Sequence, residues 1–126
     1  MLLGLRTVIY PAPDLETARS FFTELLGFGP YFDEPFYVGF EVEGYELGLD
    51  PNADPSAGAV TYWGVANAEH ALTWLVQHGA TELSAVAEVG GGIRVATVRV
   101  ATGAVFGIIE NPHFQAAQAT SAGPGR

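Results

Sequence analysis

Residues 33–54 carry seven acids and no base, and Glu41, Glu46 and Asp50 stand there among tyrosines such as Tyr37 and Tyr45. Carboxylates and phenols set this close suit two kinds of chemistry. They can hold a cationic or aromatic small molecule by charge and cation–π contact, or move a proton at a carboxylate base. If Glu43-Gly44 forms a tight hairpin turn, Glu41 faces Glu46, Gly39 faces Gly48 and Tyr37 faces Asp50. Facing carboxylates disfavour double ionisation, a setting for a general base, and Glu46 is the catalytic candidate because it lies nearer the strand middle. For Glu41 and Asp50 the plainer reading is a rim where acids meet water. The acidic stretch as a whole reads either as a solvated face aiding solubility or as a cleft favouring cations.

Other chemistries are excluded by what the chain lacks. It has no cysteine and no lysine, so thiolate nucleophiles, zinc–thiolate sites and Schiff bases are ruled out. Its four serines stand outside any nucleophile elbow. A net charge of −9 repels phosphate backbones, so no nucleic acid is expected as a partner. No apolar run approaches the roughly 20 residues that span a bilayer. The opening MLLGLRTVIY lacks a basic leader, and together these features predict a cytoplasmic protein with no membrane contact.

The elements that position these residues follow from periodicity. Alternation over 5–12 predicts a strand stopped by Pro11 and Pro13; Asp14 then caps a helix whose apolar face is Leu15, Ala18, Phe22, Leu25 and Leu26, closed by Gly27. Residues 29–42 supply two strands around Asp33-Glu34-Pro35, and 45–50 a fourth. After a linker at 51–58 the plan repeats: a strand at 59–66 and an Asn67-capped helix with Ala68, Ala71, Leu72, Leu75 and Val76 inward. Strands at 81–89, 93–100 and 104–110 follow. Two βαβββ units result, module one over 5–50 and module two over 59–112, forming a single domain over 1–114 with a loose tail at 115–126.

On the strands, alternation assigns faces. Phe36, Val38, Phe40, Tyr45, Leu47 and Leu49 are expected under the helices, with Thr7, Ile9, Val60, Tyr62, Val105, Gly107 and Ile109 on the cleft side. Arg94, Ala96 and Val98 join the cleft if a four-residue loop connects their strand to the next. A slip of one residue reverses that group.

The paired pattern resembles the vicinal oxygen chelate superfamily, which includes glyoxalase I, extradiol dioxygenases and bleomycin-resistance proteins. The likeness rests on Pro13-Asp14-Leu15-Glu16, Phe21-Phe22, Leu25-Leu26-Gly27-Phe28, Thr61-Tyr62-Trp63-Gly64-Val65, His78-Gly79-Ala80 and the strand from Gly90 to Val98 running to Gly103. The resemblance implies an α+β fold, with the two modules forming a half-open, mixed-sheet barrel and the helices outside. It also implies homodimers. Its metal-binding members carry His or Glu on the first and last strand of each module, positions that here hold Thr7, Gly48, Val60 and Gly107. No metal and no cofactor are therefore expected, and the two glycines free space in the cleft or let a ligand approach the backbone.

Three functions follow in order. The first is a small-molecule-binding protein, its cationic or aromatic ligand held by Thr7, Tyr37, Glu41, Gly48, Asp50, Tyr62, Arg94 and Gly107. The second is a metal-independent isomerase or lyase with Glu46 as base and Tyr62 or Arg94 steadying an oxyanion. The third is a partner-binding module without a small ligand.

Overall fold

A computed structural model describes residues 1–114; the predicted tail at 115–126 lies outside the described residues. The element order is β1 (Leu2–Pro11), α1 (Leu15–Leu26), β2 (Phe32–Glu34), β3 (Tyr37–Val42), β4 (Tyr45–Asp50), β5 (Val60–Val65), α2 (Ala68–Gln77), β6 (Thr81–Glu88), β7 (Arg94–Arg99) and β8 (Val105–Glu110). This is an α+β fold of two βαβββ modules with mixed pairing. The chain divides into two compact units, Thr7–Ala59 and Val60–Phe114, with Met1–Arg6 counted in the latter. β1 therefore contributes its first half to one unit and its second half to the other.

In the unit of Thr7–Ala59, β1 pairs in parallel with β4, Thr7 against Glu46 and Ile9 against Gly48. β3 runs antiparallel to β4, and β2 to β3. The Glu43-Gly44 turn forms as expected, both residues at positive φ (55° and 90°), the geometry that lets a two-residue loop follow the strand twist. Ala12, Val38, Phe40 and Leu49 are buried, and Leu15, Ala18, Phe22 and Leu26 of α1 pack on them. Two expected core residues are not there. Leu25 is exposed, since the helix turns it away from the sheet, and Phe36 is exposed because the bend falls at Pro35-Phe36, one residue later than expected.

Asp14 caps α1, accepting from the Thr17 amide at 3.2 Å and from the Thr17 hydroxyl at 2.7 Å, and those bonds hold its carboxyl below the usual range. Gly27 ends the helix in the left-handed region at φ 86°. From the helix, Arg19 reaches Asp33 of β2 at 3.2 Å, tying down the segment that carries Tyr31.

The unit of Val60–Phe114 repeats the design. β5 pairs in parallel with β8, β8 antiparallel with β7, and β7 with a bulged β6. Its core is Val65, Ala68, Ala71, Ala96 and Ile108, with Leu72 and Leu75 against it; Val76, expected inward, is exposed at the helix end. Asn67 caps α2, its side-chain oxygen accepting from the His70 amide at 2.9 Å. Asn67→Ala removes that acceptor and is expected to cost about 1 kcal/mol, read as a lowered urea midpoint at constant slope.

Candidate functional site

The site grows from the alternation of β4. Leu49 is fully buried and Leu47 packs on the same core, so Glu46 and Gly48 project from the opposite face. In register, Glu46 has Thr7 of β1 on one side and Glu41 of β3 on the other. Two phenols then close on it. The Tyr37 hydroxyl donates to Glu46 Oε2 and the Tyr31 hydroxyl donates to Glu46 Oε1. Burial first, then the charge of Glu46 and its hydrogen bond, push the Tyr37 phenol far above its ordinary range. For Tyr31 burial again leads, followed by the bond to Glu46 and the charges of Glu46 and Glu41, and its phenol rises as well. Both hydroxyls therefore remain donors across the physiological range.

The glycines on this face are seats for those rings. A Cβ on Gly48 would lie 2.0 Å from the Tyr37 hydroxyl oxygen and 2.6 Å from its Cζ. One on Gly39, which pairs with Gly48, would meet Tyr31, Glu46 and Tyr37 at 3.2–3.3 Å. The space expected to be open above Gly48 is thus filled by the chain's own tyrosine. Glu41 faces Glu46 in register, yet its carboxylate accepts from the Gly44 amide at 2.5 Å, turned to the hairpin bend. Asp50 accepts from the Asn52 amide at 2.8 Å, closing the turn after β4.

Beside the clamp lies a hollow of about 410 Å³ lined by Phe28, Gly29, Tyr31, Glu41, Val42 and Glu43. Tyr31 belongs to both, with its ring on the hollow and its hydroxyl on Glu46. It is the site residue that strand alternation missed, because it precedes the three-residue strand β2 and is placed by its amide bond to the Gly39 carbonyl at 3.0 Å. A usable signal was present in Gly39 and Gly48, a facing pair of strand glycines that leaves room for side chains laid across them.

The remaining predicted residues lie in the other unit. Tyr62 pairs with Gly107, and its ring covers that glycine, with Cδ2 2.5 Å from where a Cβ would stand. Arg94 requires correction. Val100 and Ala104 are hydrogen-bonded at 3.0 Å, leaving a three-residue loop, Ala101-Thr102-Gly103, in place of four. The register is thereby Arg94 against Glu110 and Thr97 against Gly107. Ala96 and Val98 are fully buried in the core, and Arg94, on their face, pairs with Glu69 of α2 at 2.6 Å. Arg94 therefore does not share the face of Gly107; Val95 and Thr97 do.

The positions that hold metal in the resembled superfamily do not fit one here. Gly48 and Gly107 lie under tyrosine rings, and Thr7 and Val60 offer no anionic donor. Among the described residues no three His, Cys, Asp or Glu converge. His113 Nε2 donates to the Gly91 carbonyl at 2.8 Å, and Glu110 accepts from the Ala68 amide at 2.9 Å, so this neighbouring pair caps and ties rather than ligates.

The chain has the fold of the vicinal oxygen chelate class. Methylmalonyl-CoA epimerase from Streptomyces coelicolor, in complex with 2-nitronate-propionyl-CoA, is 15% identical with a TM-score of 0.73, over 89% of this chain and 99% of that one. A glyoxalase/bleomycin resistance protein/dioxygenase superfamily member from Vibrio splendidus 12B01 is 21% identical with a TM-score of 0.65, over 84% and 97%. Methylmalonyl-CoA epimerase from Mycobacterium tuberculosis is 14% identical with a TM-score of 0.66, over 97% and 93%. No protein-family model matches the sequence, and no curated protein matches it.

Proposed function

We propose that the protein binds a cationic aromatic small molecule in the hollow beside Glu46, in a site without the metal ligands of the superfamily. The observation that carries this reading is Tyr31, which presents an aromatic wall to the hollow while its hydroxyl is anchored on a carboxylate. A ring next to fixed negative charge is the arrangement that attracts cations. Glu41 and Glu43 in the lining add to the field. The expected result is that benzyltrimethylammonium binds and benzoate does not, by calorimetry at low ionic strength. Glu46→Gln should weaken the cation about tenfold. Equal affinity for both probes, or full affinity in Glu46→Gln, rejects the reading.

A second reading is metal-independent isomerase chemistry with Glu46 as base. It is favoured by the place of Glu46 on β4, between Thr7 and Glu41 in register, and by the fold shared with epimerases acting on methylmalonyl-CoA. Incubation with that thioester in deuterated water tests it. Deuterium should appear at the carbon between the carbonyls with the native chain and not with Glu46→Gln. No incorporation leaves binding as the function.

The reading includes a homodimer. Leu2, Leu3 and Leu5 of β1 expose apolar side chains, area of the kind that pairing covers. Sedimentation at micromolar concentration should give twice the chain mass.

A further inference from the structure

Glycines in this chain meet one of two demands, and one residue meets neither. Some have a positive φ, the backbone region that side chains resist. The others lie against a flat group of the chain itself: Gly48 under the Tyr37 ring, Gly107 under Tyr62, Gly64 under the Arg6 guanidinium and Gly39 beside Tyr31. Gly29 is the exception among the described residues. Its φ is not positive, and a Cβ there would meet nothing within 4 Å beyond its chain neighbours. It also lines the hollow of about 410 Å³. Neither backbone conformation nor a crowding neighbour requires glycine at this position, so a role in letting a ligand approach the backbone is open to it.

The rest of the lining says what would approach. Bare backbone accepts flat groups elsewhere in the chain, two phenol rings and a guanidinium among them. Phe28 and Tyr31 give the hollow aromatic surface, 44% and 63% exposed. Glu41 and Glu43 give it negative charge, and that of Glu41 helps to raise the Tyr31 phenol. Glu41 also has an acceptor to offer. Its Oε2 takes the Gly44 amide at 2.5 Å, and no donor among the described residues reaches its Oε1. Flatness, positive charge and N–H donors together describe a guanidinium. Its plane stacks on aromatic faces, its hydration is weak, and its fork of N–H groups matches a carboxylate. A quaternary ammonium has neither the plane nor the N–H.

We infer that the hollow takes a small molecule bearing a guanidinium, laid over Gly29 and donating to Glu41, with Gly29 as the residue that sets the preference for a flat cation. This deepens the reading given above and rests on it. The volume leaves space for a ring or short chain attached to that group.

The experiment compares benzylguanidinium with benzyltrimethylammonium, probes of equal charge and the same ring, by calorimetric titration of the full chain at one ionic strength. The expected result is a preference of about tenfold for benzylguanidinium, the weight of one charge-assisted hydrogen bond. Glu41→Ala should abolish that preference. Gly29→Ala should weaken benzylguanidinium by about tenfold and leave the urea midpoint undiminished, because the added methyl meets no group of the fold. A blocked Gly-Arg-Gly peptide should bind more weakly than benzylguanidinium; tighter binding overturns the small molecule as ligand in favour of an arginine side chain. Benzylguanidinium binding no tighter than benzyltrimethylammonium overturns the inference and leaves the cation reading standing. Full affinity in Gly29→Ala, or a lowered urea midpoint there, overturns the role of Gly29, and a preference kept in Glu41→Ala overturns that of Glu41. Failure of both benzyl probes to bind at millimolar concentration overturns the inference together with the reading beneath it.

Discussion

Gly48→Ala is expected to destabilise the protein by about 3 kcal/mol, several times the effect of an ordinary surface substitution. The added methyl would stand 2.0 Å from the Tyr37 hydroxyl oxygen and within 3 Å of two ring carbons, so the ring must leave its seat. Leaving it breaks the hydrogen bond from Tyr37 to Glu46, a bond to an ionised group that ordinarily contributes about 1.5–3 kcal/mol. Backbone strain plays no part, because Gly48 has an ordinary negative φ. The cost should therefore belong to the Tyr37 ring, and a double-mutant cycle isolates it. In a Tyr37→Ala background the obstructing ring is gone, and Gly48→Ala should change sign. It becomes stabilising by about 0.5–1 kcal/mol, the usual advantage of alanine over glycine within an element. Urea midpoints of the four proteins give the answer. A Gly48→Ala cost that persists undiminished without the ring would mean that some other neighbour, or the backbone itself, demands glycine there.

The same substitution marks where residue-level reading succeeds and where it stops. Glu43-Gly44 set the β3–β4 register, because a two-residue turn leaves one pairing, and Gly39 does face Gly48. Asp14 and Asn67 announced both helix starts through side chains whose oxygens suit the first free amides. Gly48 and Gly107 were conspicuous for the right reason, as strand glycines that must accommodate something. What they accommodate lies on a neighbouring strand, Tyr37 for one and Tyr62 for the other, and side-chain rotamers are not encoded in alternation. Glu41 illustrates the same limit, since its Cα faces Glu46 while its carboxylate turns back to the Gly44 amide. Arg94 failed for a different reason. Its face depends on whether the loop before β8 has three residues or four, and one hydrogen bond, Val100 to Ala104, decides it.

The pairing of glycine with a planar side chain recurs often enough to count as a building rule of this chain. In the unit of Val60–Phe114, Gly64 lies under the Arg6 guanidinium, which in turn stacks at 3.7 Å from the centre of the Phe114 ring. Tyr62 covers Gly107 in the same way. Flat groups laid on bare backbone bury apolar area without needing depth, which suits a fold whose hydrophobic clusters have, among the described residues, five and four buried members. On the face of Glu46 the consequence is chemical as well. Seating Tyr37 on Gly48 is what brings its hydroxyl to the carboxylate.

Holding two phenols against one carboxylate makes stability depend on pH in the alkaline range. Free tyrosine ionises near pH 10. In the native protein Tyr37 and Tyr31 titrate well above that, because burial and the charge of Glu46 both oppose a second negative charge. Raised values in the folded state mean that the native chain binds more protons than the unfolded chain once pH exceeds about 10, so stability is complete below that point and falls as pH climbs. Each phenol held fully protonated contributes a slope of up to about 1.4 kcal/mol per pH unit. The half-buried Tyr37 should contribute most of it, and Tyr31, 63% exposed and screened by water, a smaller share. The chain is well suited to the measurement: it has no lysine and no cysteine, so its five tyrosines are the only side chains with ordinary values near that window. Phenolate absorbance of the native protein should account for no more than three tyrosines until the fold is lost, when the remainder ionise together. Tyr37→Phe should flatten the fall in urea midpoint between pH 9.5 and 11 by at least half, and Tyr31→Phe by less, these limits being order-of-magnitude estimates from the same slope. Five phenols ionising in one step near pH 10, with the native circular dichroism intact, would show that neither hydroxyl is held by Glu46.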